Sequence, residues 1–105
     1  MEMSQVRYFL ALCDERNFTR AARRCGVAQP SLTQAIKALE AELGGSLFHR
    51  HRRGAELSEF GARLEPYFAT IWQCAQEIRR AQPSNGALEC EAVAPVADAI
   101  RLPTG

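Results

Sequence analysis

Between Arg16 and Leu39 the sequence has no acidic residue, although it carries Arg16, Arg20, Arg23, Arg24 and Lys37. The formal net charge of +1 conceals this, because Glu89, Glu91 and Asp98 sit near the other end against Arg101 alone. The basic N-terminal half is therefore the part suited to a polyanion. Long apolar runs are missing too: none approaches the roughly 18 residues that a membrane-spanning helix needs. No basic-then-apolar signal sequence opens the chain, so a cytoplasmic protein is expected.

The cysteines Cys13, Cys25, Cys74 and Cys90 form no CxxC pair, which excludes the usual spacing of a disulfide framework or a zinc site. Cys13 and Cys74 fall on helical stripes and are expected as small core residues. There is no Ser/His/Asp order, no glycine-rich phosphate loop and no pair of carboxylates in an apolar setting, so neither an enzyme nor a cofactor is expected. Glu40 and Glu42 read as solvated. His49 and His51 alternate with arginines without further ligands nearby, and no metal site is expected there.

What is present is one domain's worth of chain: 105 residues, 47% of them hydrophobic, enough for a modest core without a large cleft. Val6, Phe9, Leu10 and Cys13 recur at helical spacing behind Ser4 as cap, which predicts a first helix to about Arg16 or Asn17. Thr19 is the expected cap of a short second helix, with Ala21 and Ala22 allowing close packing and Gly26 as its left-handed stop. A third helix takes Pro30 at its first position, buries Leu32, Ile36, Leu39 and Leu43, and ends at Gly44-Gly45. Two helices joined by a short turn containing glycine make a helix-turn-helix pattern; an ordinary three-helix bundle with a solvated polar face stays open as the alternative.

Two short segments, Leu47 to Arg50 and Ala55 to Leu57, flank a turn at Arg52, Arg53 and Gly54 and read as a small β-hairpin, a wing with arginines at its tip. Ser58 caps a fourth helix whose stripe is Phe60, Leu64, Phe68, Ile71, Ala75 and Ile78, with Tyr67, Trp72 and Cys74 on its flanks. Pro66 is expected to kink it. This apolar surface exceeds what so small a core covers, so part of it is expected to pair with a second copy. Beyond Pro83 the chain has little to pack, and a loosely held tail is expected past about Glu91.

The string FTRAARRCGVAQPSLTQAIKALEAELGGSLFHRHRRGAELSEFG resembles the winged helix-turn-helix of LysR-type transcriptional regulators. Phe18 with Ala21-Ala22, Gln29-Pro30-Ser31-Leu32, Ile36, Leu39-Glu40, Leu43-Gly44, Leu47-Phe48, Arg50, Arg53, and Leu57-Ser58 with Gly61 carry the likeness. It continues through the fourth helix, which corresponds to the linker helix by which such regulators dimerise. The resemblance implies a mainly α fold: a winged helix-turn-helix of three helices and a hairpin over residues 1–58, and a dimerisation helix over 59–82. Residues 83–105 look like the start of the effector-binding domain that these regulators carry, whose remainder is missing after Gly105, and regulation without a small-molecule inducer is expected on that account.

If the third helix enters a major groove, its buried stripe turns Pro30, Thr33, Gln34 and Lys37 outward. Gln29 and Gln34 can bond bidentately to adenine, Thr33 can offer a hydroxyl or lay its methyl on thymine, and Lys37 can reach guanine or phosphate. The resemblance adds Ser31, and Ala28 in the turn joins the DNA-facing set. Thr19, Arg20 and Arg23 on the second helix are expected to grip phosphates. One of Arg23 and Arg24 is expected instead to pair with an acid inside the domain. Arg50, Arg52 and Arg53 are the wing's candidates for the minor groove or its phosphates. The expected partners are double-stranded DNA at an inverted repeat and a second copy bound through Phe60, Leu64, Tyr67, Phe68, Ile71, Trp72, Ala75 and Ile78. Higher oligomers, and mixed dimers with a full-length related regulator through the same helix, are the alternatives.

Overall fold

The computed structural model describes residues 1–83; the expectations for Cys90 and the tail lie outside them. In chain order come α1 (Met3–Glu15), α2 (Phe18–Cys25), α3 (Gln29–Leu43), β1 (Phe48–His51), β2 (Gly54–Leu57) and α4 (Glu59–Arg80). Three helices, an antiparallel hairpin and a long final helix are the expected winged helix-turn-helix architecture. One compact unit runs from Met1 to Cys74, and a second takes the chain from Ala75. In the second, Arg80 pairs with Glu77 at 2.5 Å and Ile78 is exposed.

The core of the first unit gathers around Phe9. Its ring lies 4.7 Å from that of Phe68 and 5.4 Å from that of Phe48, centroid to centroid. Val6, Leu12, Leu32, Ile36, Leu39 and Leu47 are closed off from solvent beside it. The covered face of α1 is not quite the one expected: Ala11 and Leu12 are buried, whereas Leu10 and Cys13 are only partly covered. Reading one stripe assumes one neighbour, and α1 has two, since both α2 and α3 pack against it.

Helix starts also differ from expectation. Glu2 is the cap residue of α1, its backbone N–H donating to Gln5 Oε1 at 2.7 Å, so Ser4 lies inside the helix. Asn17 caps α2, its Oδ1 accepting from the Arg20 N–H at 2.8 Å, and Thr19 falls within the first turn. Pro30 is the second residue of α3, one later than expected. It still sits where a missing N–H costs little. The helix ends match: Gly26 and Gly44 adopt left-handed φ values of 72° and 82°.

The hairpin pairs Phe48 with Leu57, His49 with Glu56, Arg50 with Ala55 and His51 with Gly54, which leaves Arg52-Arg53 as a two-residue turn. Leu47, expected in the strand, is instead a core residue. Glu40 is not a solvated acid: its Oε2 accepts from the backbone N–H of Leu47 at 2.7 Å and of Phe48 at 3.3 Å, holding the entry to the wing. Glu42 is exposed and pairs with the Met1 ammonium at 3.0 Å.

Ser58 caps α4 as expected. Its Oγ accepts from the Gly61 N–H at 2.9 Å and donates to the Ser46 carbonyl at 2.6 Å. Gly61 lets α4 approach closely, because a Cβ there would run into the Leu47 carbonyl oxygen. The packing divides the expected dimerisation stripe. Phe68 is 4% exposed and belongs to the monomer's own core, and Phe60, Leu64, Ile71 and Trp72 pack partly against that core. Tyr67, the preceding residue, is 69% exposed. Cys74 is exposed, contrary to the core position expected from the stripe. Pro66 lies inside α4, which is assigned as one helix from end to end.

Candidate nucleic-acid interface

Two helix starts and a hairpin tip make up the site. In α3, the period buries Leu32, Ile36 and Leu39, and this turns Gln29, Pro30, Ser31, Gln34 and Lys37 to solvent; Ala28, its cap residue, is exposed too. The first turns of α2 and α3 hold no acid. No carboxylate therefore offsets the positive end of the helix dipole at either start, although the Asn17 side chain caps the Arg20 N–H of α2. Thr33 is different: it is partly covered, and its hydroxyl oxygen is buried with no hydrogen-bond partner. Of its side chain, only carbon is left to face solvent.

The arginines of α2 do not share one fate. Arg24 binds Asp14 at 3.0 Å and Glu15 at 3.4 Å, and its hydrogen bond to Asp14 raises its pKa above the usual arginine value. Arg20 sits 3.6 Å from Glu15 and also donates to the Glu15 carbonyl at 3.3 Å. Arg23 has no ion-pair partner among the described residues and is exposed, as is Thr19. Of Arg23 and Arg24, Arg24 is thus the one paired within the domain. The acids responsible are Asp14 and Glu15, at the end of α1 and just outside the acid-free stretch.

In the wing, Arg52 and Arg53 form the turn, exposed and without an ion-pair partner among the described residues. Arg50 is placed otherwise, its guanidinium carbon 4.5 Å over the centroid of the Phe18 ring. His51 approaches Glu56 at 4.0 Å, a contact that is ionic only when the imidazole is protonated. Arg16 ends α1 with a left-handed φ of 55°, and its carbonyl accepts from the Ala55 N–H at 2.9 Å. Gly54 lies against that carbonyl, where a Cβ would collide with it.

Three contributors were not legible beforehand. Asn17 competes with Thr19 as cap, the Phe18 ring has no spacing signal of its own, and Glu40 resembles any helical acid. For Glu40 a signal existed: it directly precedes the residues that lead through a glycine pair into a strand, where free N–H groups need acceptors.

Burial pushes the Cys13 thiol up to about 12, assisted by the nearby Glu65 carboxylate, so it stays protonated and unreactive near neutral pH. Among the described residues no group of three or more His, Cys, Asp or Glu could hold a metal ion. None of the described helices is long and apolar enough to cross a membrane.

Residues 3–62 match the bacterial regulatory helix-turn-helix proteins of the lysR family. The HTH-type transcriptional regulator BudR of Klebsiella aerogenes is 54% identical over 61 residues, which cover 58% of this chain and 43% of that protein. The regulator ClcR of Pseudomonas putida is 49% identical over 61 residues, covering 58% of this chain and 21% of ClcR. The matched stretch thus spans less than half the length of these relatives. In three dimensions it is similar to the CbnR DNA-binding domain solved in complex with DNA, with a TM-score of 0.73 and 36% identity over 76% of this chain and 92% of that one. The BenM DNA-binding domain on its catB site 1 DNA gives a TM-score of 0.72 and 32% identity, over 76% and 90% of the two chains.

Proposed function

We propose, for a chain that belongs to the lysR family of bacterial regulatory helix-turn-helix proteins, sequence-specific binding of double-stranded DNA in the service of transcriptional regulation. The observation that carries this is the outward side of α3. Gln29, Pro30, Ser31, Gln34 and Lys37 are all exposed with no acid among them. Small and amide side chains let a helix start sit close to base edges, where glutamine pairs bidentately with adenine. Thr33 adds a partly exposed carbon surface suited to the thymine methyl. Arg23 supplies a phosphate contact from α2, and Arg52 and Arg53 supply the wing's reach toward a second groove. Arg20 and Thr19 stay beside the backbone path, Arg20 with part of its charge already satisfied by Glu15.

The protein acts as a homodimer through α4. Tyr67, exposed to 69% on the first unit, offers an apolar ring that nothing among the described residues covers. Two-fold symmetry then calls for an inverted-repeat site with half-sites about one helical turn, or a multiple of it, apart. The same exposed ring also supports a second reading, in which the chain forms mixed dimers with a longer related regulator.

Selection of duplexes from a random pool by the purified wild-type chain, followed by competition against random DNA, tests both. An inverted repeat that outcompetes random duplex is the expected outcome. A pure protein that binds no duplex better than random DNA, yet associates with a longer relative, would favour mixed dimerisation.

A further inference from the structure

Arg50 stands apart from the other wing arginines because a ring of its own chain occupies its guanidinium face. We infer that Arg50 is a positioning residue: by stacking on Phe18 it sets the angle at which the wing tip leaves the domain, and it acts on DNA through Arg52 and Arg53. The inference rests on the DNA-binding reading above.

A two-stranded hairpin is marginally stable by itself and needs outside anchors. Here two anchors meet on one rung. Arg50 pairs with Ala55 across the ladder, the Ala55 N–H donates to the Arg16 carbonyl at 2.9 Å, and the Arg50 guanidinium lies 4.5 Å over Phe18. Phe48 and Ala55 in the core and the Glu40 contact at the start of β1 hold the base of the hairpin; the Arg50 stack adds a contact on β1 beyond them, nearer the tip. Phe18 is a fixed platform, since it opens α2 and packs against the core. Gly54 keeps the hairpin pressed to the same carbonyl, where any side chain would force it away. The tip arginines, two and three residues beyond Arg50, therefore leave from a base held against the start of α2.

Stacking and phosphate binding make different demands. A planar guanidinium stacks on an aromatic ring in a way that an ammonium does not reproduce, whereas a phosphate accepts either cation. Binding to the duplex selected by the wild-type chain is measured for Arg50→Lys, Arg50→Ala, Phe18→Leu and Phe18→Tyr. The Arg50→Ala change is repeated in an Arg52→Ala, Arg53→Ala background. Positioning predicts an affinity loss of about two- to fivefold for Arg50→Lys, Arg50→Ala and Phe18→Leu, with wild-type binding retained in Phe18→Tyr, which keeps the ring. In the background without tip arginines, Arg50→Ala adds nothing further.

Loss of the upfield ring-current shift of the Arg50 side-chain protons in Phe18→Leu, read by NMR without DNA, reports the stack independently. The inference is overturned if Arg50→Lys binds like wild type, or if Arg50→Ala costs its full factor without the tip and lowers the salt slope by about one. A wild-type chain that selects no duplex would instead bring down the DNA reading itself, and this inference with it.

Discussion

Helices α3 and α4 are both long, both amphipathic, and both bury one stripe in the same core, yet their outward sides differ in kind. Leu32, Ile36 and Leu39 hold α3 while the residues that face out over its first nine positions, Gln29 to Lys37, are polar or small and include no acid. Phe68 and Gly61 hold α4 while the neighbouring Tyr67 stands in solvent. An apolar group exposed beside a well-packed face suits another apolar surface, and an uncharged polar front beside free arginines suits a polyanion. Burial therefore explains how the two helices are held, and the remainder of each explains what it meets.

The largest expected effect separates the two sides of α4. Phe68→Ala should lose about 3–5 kcal/mol in urea unfolding, because it empties a ring site between Phe9 and the helix. Tyr67→Ala should stay within about 0.5 kcal/mol in dilute protein and weaken self-association in sedimentation. Similar losses of stability from both would erase the distinction.

The matching contrast on α3 is read in binding. Replacing Gln29 and Gln34 together by alanine should cut affinity for the selected site roughly 10- to 100-fold and leave random-duplex affinity and the thermal midpoint as they were. A parallel loss on both DNAs would mean that these side chains touch phosphate and read no bases.

Smaller is the effect expected among arginines. Arg52→Ala with Arg53→Ala should lower the slope of log affinity against log salt by about one for each phosphate contact removed. Arg24→Ala should leave that slope unchanged, since Asp14 and Glu15 already hold Arg24. A slope that falls for Arg24→Ala would show the ion pair opening on DNA. Smallest is Thr33→Val, which removes a buried hydroxyl without a partner. It should raise stability by about 1 kcal/mol in the same unfolding assay, and a loss would show that the hydroxyl does find a partner.

Much of the fold was legible because it is local. The stripe of α3, the left-handed stop at Gly26, the Ser58 cap and the arginines of the hairpin turn all follow from residue type and spacing within a few positions. Errors clustered where a choice depended on neighbours. Both Asn17 and Thr19 are good caps, and only the path from Arg16 decides that Asn17 takes the Arg20 N–H. On α4 the period puts Phe68 on the stripe expected to meet a second copy, yet Phe68 packs on Phe9 in its own core and the flanking Tyr67 is the exposed ring.

By itself the sequence determined the helices, their ends, the acid-free basic half and the side of α3 that turns outward, since these depend on a period of 3.6 and on the short-range preferences of glycine, proline and serine. Only the tertiary structure decided which cations stay free. Arg20, Arg23, Arg24, Arg50, Arg52 and Arg53 are alike as letters, but Asp14 and Glu15 pair with Arg24 and in part with Arg20, and the Phe18 ring lies under one face of Arg50. How much of a charge is left for a partner depends on what its own fold brings to it first, and that is settled by which elements come together in space.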